Sequence, residues 1–338
     1  MQVFNQTDIR QLFLKNHFVR EQWQRLLVHS GIKPATKAFQ QLDKTLGLYQ
    51  GEELVGTVSY QKNVIKYIAI SEKYKQSGHT LHVLVSAIIQ EMSQHEIFHY
   101  FVFTKQRYQK SFEHLGFKTI VSTEKTAILE MGDWSIAQYL ATIPKTLNAK
   151  NAAIVMNANP FTNGHSYLIE QAAAANDWVY VFVLEKEQAL FSTLERFRFV
   201  QEGVKHLKNV IVVLGNDYVI SPATFPTYFL RENDEAAKEQ MIVDATLFKE
   251  RIAASLNITT RYVGEEPFSP MTSTYNQVLK KILPPEITVK VIPRKKTQQN
   301  QVISASQVRK AFLEEQLEDI QEMVSKTTYH YLKNKRES

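Results

Sequence analysis

Asn157-Ala158-Asn159-Pro160-Phe161-Thr162-Asn163-Gly164-His165 joins two segments of different character. Before it stands Ala152-Ala153-Ile154-Val155-Met156, an unbroken apolar run of the kind found in a parallel strand covered on both faces. After it stands Tyr167-Leu168-Ile169-Glu170-Gln171-Ala172-Ala173-Ala174-Ala175, which reads as a helix with Asn176 near its end. A second apolar strand, Trp178 to Leu184, comes next. The quoted stretch is therefore the strand-to-helix turn of a βαβ unit, and the fold from here on is α/β with a doubly wound parallel sheet. The first N–H groups of a helix lack partners and carry positive potential, so such a turn suits an anion. Gly164 allows the backbone to approach a phosphate. Thr162 and His165, three apart, supply a hydroxyl and an imidazole on one side of the turn. The same residues also suit a plain helix cap with a surface histidine.

Near the other end, Ile303-Ser304-Ala305-Ser306-Gln307-Val308-Arg309 opens the run Lys310 to Glu315. Ser304 or Ser306 is a candidate N-cap. Two hydroxyls, unpartnered N–H groups and an arginine at a helix start make a second phosphate site, or an ordinary cap with a solvated arginine. The pair Thr-x-Gly-His and Ile-Ser-x-Ser-x-Val-Arg resembles the two signatures of the HxGH-type nucleotidyltransferase superfamily, whose members bind ATP between them. Pro160 to His165, and Phe191-Ser192-Thr193-Leu194-Glu195-Arg196, are similar to the pantetheine-phosphate adenylyltransferase versions.

A longer series is more specific. Asn157 to Thr162, Ser221-Pro222-Ala223-Thr224-Phe225-Pro226-Thr227-Tyr228-Phe229-Leu230, Val263-Gly264-Glu265-Glu266-Pro267-Phe268 and Val291-Ile292-Pro293-Arg294 resemble, in this order, the [citrate (pro-3S)-lyase] ligase family. That resemblance covers nearly the whole chain. It implies an AMP-forming acid–thiol ligase. ATP activates acetate, and the acetyl group passes to the CoA-like thiol of the citrate lyase acyl-carrier subunit. It implies that His165 and Thr162 donate to the phosphates during reaction. Ser304, Ser306 and Arg309 would hold the outer phosphates, and Gly264 and Glu266 the adenosine. Asn157, Asn159, Phe161 and Gly164 complete the nucleotide-side candidates. Mg²⁺ is expected to ride on the phosphates, with no protein metal cluster. Met156-Asn157-Ala158 replaces the Gly-Thr/Ser-Phe start common among adenylyltransferases, and Lys186 sits earlier than their acceptor-side lysine. Both departures argue against a phosphorylated acceptor. Asn157 and Asn159 either orient a small carboxylate or only shape the turn. The alternatives are an adenylyltransferase moving AMP onto a phosphorylated coenzyme precursor, and a nucleotide-binding regulator without turnover.

The chain has 338 residues, enough for two cores, with 44% hydrophobic and 22% charged residues and no low-complexity tract. No apolar run approaches the roughly 20 residues of a membrane span, and Met1 to Asp8 lack a signal-peptide pattern. The expected compartment is the cytoplasm, with neither membrane nor nucleic acid as partner. There is no cysteine, so no thioester forms on the chain itself, and an acceptor thiol belongs to the partner. The net charge of +6 suits phosphates and an acidic carrier. Within Arg294-Lys295-Lys296, facing either the triphosphate or a partner, the lysines read as solvated.

Residues 1–140 read as a separate domain and 148–338 as the nucleotidyltransferase domain, with a linker near Leu140 to Asn148. Leu46 to Tyr49 and Leu54 to Tyr60 form a hairpin, Tyr67 to Ile70 a strand, and Lys75-Gln76-Ser77-Gly78-His79-Thr80 opens the helix Leu81 to Ile89. The strand Tyr100 to Thr104 and a helix ending near Phe117 follow. This order resembles the GCN5-related N-acetyltransferase fold. Lys75 and Thr80 depart from that family's pyrophosphate turn. The departure favours recognition of the carrier's CoA-like arm, or scaffolding, over acetyl-CoA catalysis.

Overall fold

A computed structural model describes residues 7–32, 34, 38–75, 78–146, 149–185, 189–221, 235–267 and 269–337. The chain folds as two compact units, Met1–Gln138 and Tyr139–Ser338.

In the first unit the elements are β1 (Thr7–Gln11), α1 (His17–His29), β2 (Lys44–Gln50), β3 (Glu53–Gln61), β4 (Val64–Ile70), α2 (His79–Gln94), β5 (His99–Lys105), α3 (Gln109–Glu113), β6 (Lys118–Ser122) and β7 (Thr126–Gly132). The strands make one sheet in the order β1-β2-β3-β4-β5-β7-β6. Gln50 pairs with Glu53 across the expected hairpin turn, where Gly51 takes a left-handed φ of 62°. β4 and β5 pair parallel over Val64–Phe101 and Ile65–Val102, and α2 makes the crossover that a parallel pair requires. Leu84, Val85, Ile88 and Met92 recur at helical spacing on α2 and enter the sheet's core with Leu48, Val58 and Leu129. Hairpin, strand, turn, helix, strand and helix thus occur in the expected order. β1, β6 and β7 lie outside that expectation.

At the Lys75–Thr80 turn, Gly78 takes φ 63°. Thr80 is buried, its hydroxyl donating to the Tyr74 carbonyl at 3.1 Å, and Lys75 pairs with Glu72. Gln76 and Ser77 lie outside the described residues.

The second unit alternates strand and helix: β8 (Asn151–Met156), α5 (Asn163–Ala175), β9 (Trp178–Val183), α6 (Thr193–Val204), β10 (Val210–Leu214), α7 (Glu235–Leu247), β11 (Ile258–Gly264), α8 (Pro270–Ile282), β12 (Thr288–Ile292), α9 (Ala305–Leu313) and α10 (Lys326–Glu337). The five strands are all parallel, in the order β10-β9-β8-β11-β12. Chain order reverses between β8 and β11. The connections leaving those strands diverge to opposite faces and open a crevice at their carboxyl ends. β8 and β9 carry continuous apolar runs because both faces are covered; Ala152, Ala153, Ile154, Val179, Val181 and Val183 are fully buried. Side chains alternate along β11. Tyr262 joins the core under α5, its hydroxyl accepting from Asn176 Nδ2 at 3.0 Å, whereas Arg261 lies 4.4 Å from the Phe248 ring centroid, just beyond α7.

The helix expected over Glu235 to Leu256 is helical to Leu247 and then widens into a π turn, Phe248–Ala253. In the expected linker, Leu140, Ala141 and Thr142 close a short helix, α4 (Ile136–Thr142), while Leu147 and Asn148 lie outside the described residues. So do Pro222 to Leu230 of the Ser221 motif, Lys186 and Phe268. Among the described residues no helix is long and apolar enough to cross a membrane.

Candidate active site

Thr162 caps α5. Its Oγ1 accepts the His165 backbone N–H at 3.4 Å, and its own backbone N–H donates to His165 Nδ1 at 3.0 Å. This is a capping box in which histidine takes the place usual for Glu or Gln. A ring nitrogen that accepts an N–H carries no proton, so the neutral imidazole holds its hydrogen on Nε2. Burial of the ring and the nearby Arg294 cation lower the His165 pKa from 6.5 to about 4. His165 is thus a neutral N–H donor at neutral pH, with its accessible edge lining a cavity. Thr162 is buried and its hydroxyl lies 2.9 Å from Nδ1, so it orients the imidazole rather than standing as a second open donor.

Phe161 corrects the expectation that it borders the nucleotide. It is fully buried and stacks on the His165 ring, centroids 5.7 Å apart. α6 accommodates it because position 203 is glycine, where a Cβ would meet Phe161 Cε1 at 2.3 Å. Asn159 is also buried and belongs to the turn: its Oδ1 accepts the Phe191 N–H at 3.3 Å and its carbonyl accepts Arg309 Nη1 at 2.6 Å. Asn157 does line the cavity. Its carbonyl and its Oδ1 accept from Arg196 Nη1, at 2.8 and 2.9 Å.

Arg196 is a residue that the motif reading passed over as part of a helix start. It is fully buried, and it also donates to the carbonyls of Leu184 at 2.7 Å and Phe191 at 3.1 Å. One guanidinium thereby ties the loop after β8 to the end of β9 and the start of α6. A charged residue one turn into an otherwise ordinary helix cap, Ser192-Thr193-Leu194-Glu195, was the available signal.

In the second motif Ser304 caps α9, its Oγ accepting the Gln307 N–H at 3.3 Å. Arg309 donates to Ser306 Oγ at 2.9 Å as well as to Asn159, bridging the two motifs. Ile303 and Ala305 line the cavity, whereas Ser304, Ser306 and Arg309 stand outside its lining. A Cβ on Gly164 would sit 3.7 Å from Ile303 Cγ2, which measures how closely the motifs approach.

The cavity, about 260 Å³, opens at the carboxyl ends of β8, β11 and β12, at the point where strand order reverses. Of the expected residues it gathers Asn157, Thr162, Gly164, His165, Gly264 and Glu266. Around Gly264 a Cβ would find nothing within 4 Å, so the backbone there is open to a ligand. Glu266 receives Arg294 Nη2 at 2.5 Å and the Ser269 N–H at 3.2 Å, so its carboxylate anchors the Arg294 loop. Arg294 and Lys295 both line the cavity; Lys295 is exposed and lies over the Tyr167 ring. Arg261 and Tyr275 line the cavity too and were missed. The signal for Arg261 was a cation inside an otherwise strand-like run.

The family model for the citrate lyase ligase C-terminal domain matches residues 151–332. The chain is 35% identical over 292 residues to [citrate [pro-3S]-lyase] ligase of Escherichia coli K12, spanning 84% of this chain and 82% of that protein. The chain belongs to the citrate lyase ligase family. Citrate lyase ligase of Klebsiella pneumoniae is 33% identical over 299 residues, 85% of this chain and 86% of that one. A phosphopantetheine adenylyltransferase of Streptococcus agalactiae is 29% identical over 132 residues, 37% of this chain and 80% of its own. A solved N-acyl amino acid synthase from uncultured soil microbes covers 39% of the chain and 93% of its own length, at 13% identity and a TM-score of 0.34.

Proposed function

We propose that the chain is an ATP-dependent ligase that activates acetate as acetyl-AMP. It then passes the acetyl group to the CoA-like thiol of the citrate lyase acyl-carrier subunit. The observation that carries this reading is the neutral His165 imidazole, fixed with its proton on Nε2 beside the start of α5, in the crevice where ligands of doubly wound sheets bind. ATP lies across the turn after β8. One acetate oxygen attacks the α-phosphorus in line, the bond to the β-phosphate bridge breaks, and diphosphate leaves. Such chemistry is mostly positioning and charge stabilisation. His165 Nε2–H donates to the α-phosphate as charge grows there. The Gly164 N–H at the start of α5 and the first N–H groups of α9, with Arg294, hold the phosphates, and Gly264 admits the adenosine. Mg²⁺ carried on the phosphates would neutralise part of their charge as diphosphate leaves. The carrier thiolate then attacks the acetyl carbonyl, the thioester forms and AMP departs. The acetyltransferase-like first unit receives the carrier's prosthetic arm, and the cytoplasm is where such a carrier is met.

Incubation with ATP, Mg²⁺ and acetate, with and without a carrier bearing a free thiol, tests this. The expected products are AMP, diphosphate and an acetylated carrier. A dinucleotide formed from a phosphorylated pantetheine-type acceptor, with no acetyl transfer, would replace the reading with an adenylyltransferase.

A further inference from the structure

The cleft has two halves. On the α5 side stand His165, Gly164, Ile303 and Ala305, which belong to the phosphate motifs. On the α8 side stand Arg261, Tyr275, Asn276, Leu279 and Ile220, none of which those motifs employ. Arg261 is only 3% exposed, yet among the described residues its Nε and Nη1 are buried without a hydrogen-bond partner. Its described contacts are the Phe248 ring and the field of Asp244 and Tyr275. Asp244 itself is committed, its oxygens accepting the Tyr275 hydroxyl at 2.5 Å and the Ile220 N–H at 3.0 Å. Burial lowers the Arg261 pKa to about 10, which leaves it a cation at neutral pH. A buried guanidinium with unused donors is costly unless something fills them. Val155, Leu184, Ile220 and Leu279, also in the lining, are apolar. A buried cation with unpartnered N–H groups beside small apolar walls fits a short carboxylic acid, because an arginine can hold one carboxylate oxygen and leave the other for attack.

We infer that Arg261 is the anchor for the carboxylate of the acid substrate, seated in the α8 half of the cleft opposite the nucleotide motifs. This rests on the ligase reading for the identity of the acid as acetate, but not for the binding of a short carboxylate.

The test uses the full-length chain. Acetate and ATP KM values are measured in the AMP-forming assay for wild type, Arg261→Met and Arg261→Lys. Binding of ¹³C-labelled acetate is followed by NMR against acetamide as the neutral isostere. Arg261→Met is expected to raise the acetate KM by about 10- to 100-fold, the loss of a charged hydrogen-bonded contact, with the ATP KM changed less than about threefold. Its melting temperature should hold or rise, since it removes a buried cation. Arg261→Lys, which keeps the charge without the fork, should fall between, and it supplies the same reading should the methionine variant fail to fold. An unchanged acetate KM overturns the inference, as does a parallel rise of both KM values with a lower melting temperature, the mark of a structural arginine. Acetate binding that depends on Arg261, in a wild-type chain that forms no AMP, would sink the ligase reading and leave the anchor standing. AMP formation from acetate with equal KM in wild type and Arg261→Met would do the reverse.

Discussion

The backbone N–H of Thr162 donates to Nδ1 of His165 at 3.0 Å, and that bond decides what the histidine can do. With Nδ1 accepting, the proton sits on Nε2, and the ring meets a phosphate as a neutral donor rather than as a cation or a base. His165→Ala should lower the rate of acyl-adenylate formation by about 10²–10³ while ATP still binds, the usual cost of losing one transition-state donor. Single-turnover diphosphate release and equilibrium ATP binding check the two halves. Diphosphate release at the wild-type rate would remove His165 from the mechanism.

The same residue gives a pH signature. Its folded pKa, about 4, lies below the unfolded 6.5. Between those values the unfolded chain binds a proton that the native ring does not, so this contribution to stability is present above pH 6.5 and lost as pH falls towards 4. His165→Gln restores the ordinary capping-box residue without the titration. Its melting temperature should therefore decline less than that of wild type between pH 7 and 4.5. Parallel declines would mean that the imidazole is not held neutral.

Arg309 joins the motifs through Asn159 and Ser306. Arg309→Ala should weaken ATP more than AMP, because it loosens the turn at Asn159 and the start of α9, where the proposed mechanism seats the outer phosphates. Titration with each nucleotide measures the ratio; equal weakening would assign Arg309 to folding alone.

Arg196→Met leaves the buried carbonyls of Leu184 and Phe191 and the part-buried carbonyl of Asn157 without this donor. Each orphaned acceptor costs about 1–3 kcal/mol, so the second unit should lose about 3 kcal/mol or more, roughly 10 °C in melting temperature. Thermal unfolding followed by circular dichroism is the check. A loss under a degree or two would mean that the guanidinium is replaceable there.

Much of this architecture is legible in the chain because the physics is local. β8 and β9 announce themselves as unbroken apolar runs, and Thr162, Ser192 and Ser304 mark helix starts by their own hydroxyls. β7 is harder to read. Glu130 interrupts its apolar side, and only the fold reveals that this buried carboxylate accepts the Ile136 N–H at 3.0 Å and lies 3.2 Å from His99 Nε2. The π turn over Phe248–Ala253 is one short stretch of i→i+5 bonding inside a helical pattern, and a periodicity read over so few residues does not resolve it. α8 is absent from the elements expected above, although Ser269 and Pro270, a cap followed by proline at the first helical position, mark its start. Within the site, a motif specifies which residues cluster but not which way each one faces. Phe161 and His165 share one turn, yet one lies in the core and the other lines the cleft.

The central claim is that a carboxylate oxygen attacks the α-phosphorus of ATP. Acetate labelled with ¹⁸O on both oxygens, supplied with ATP, Mg²⁺ and the thiol-bearing carrier, tests it by mass spectrometry of the products. One labelled oxygen should appear in the phosphate of AMP, with diphosphate unlabelled and the other label in the carrier thioester. Label in inorganic phosphate together with ADP, or AMP free of label, would contradict it.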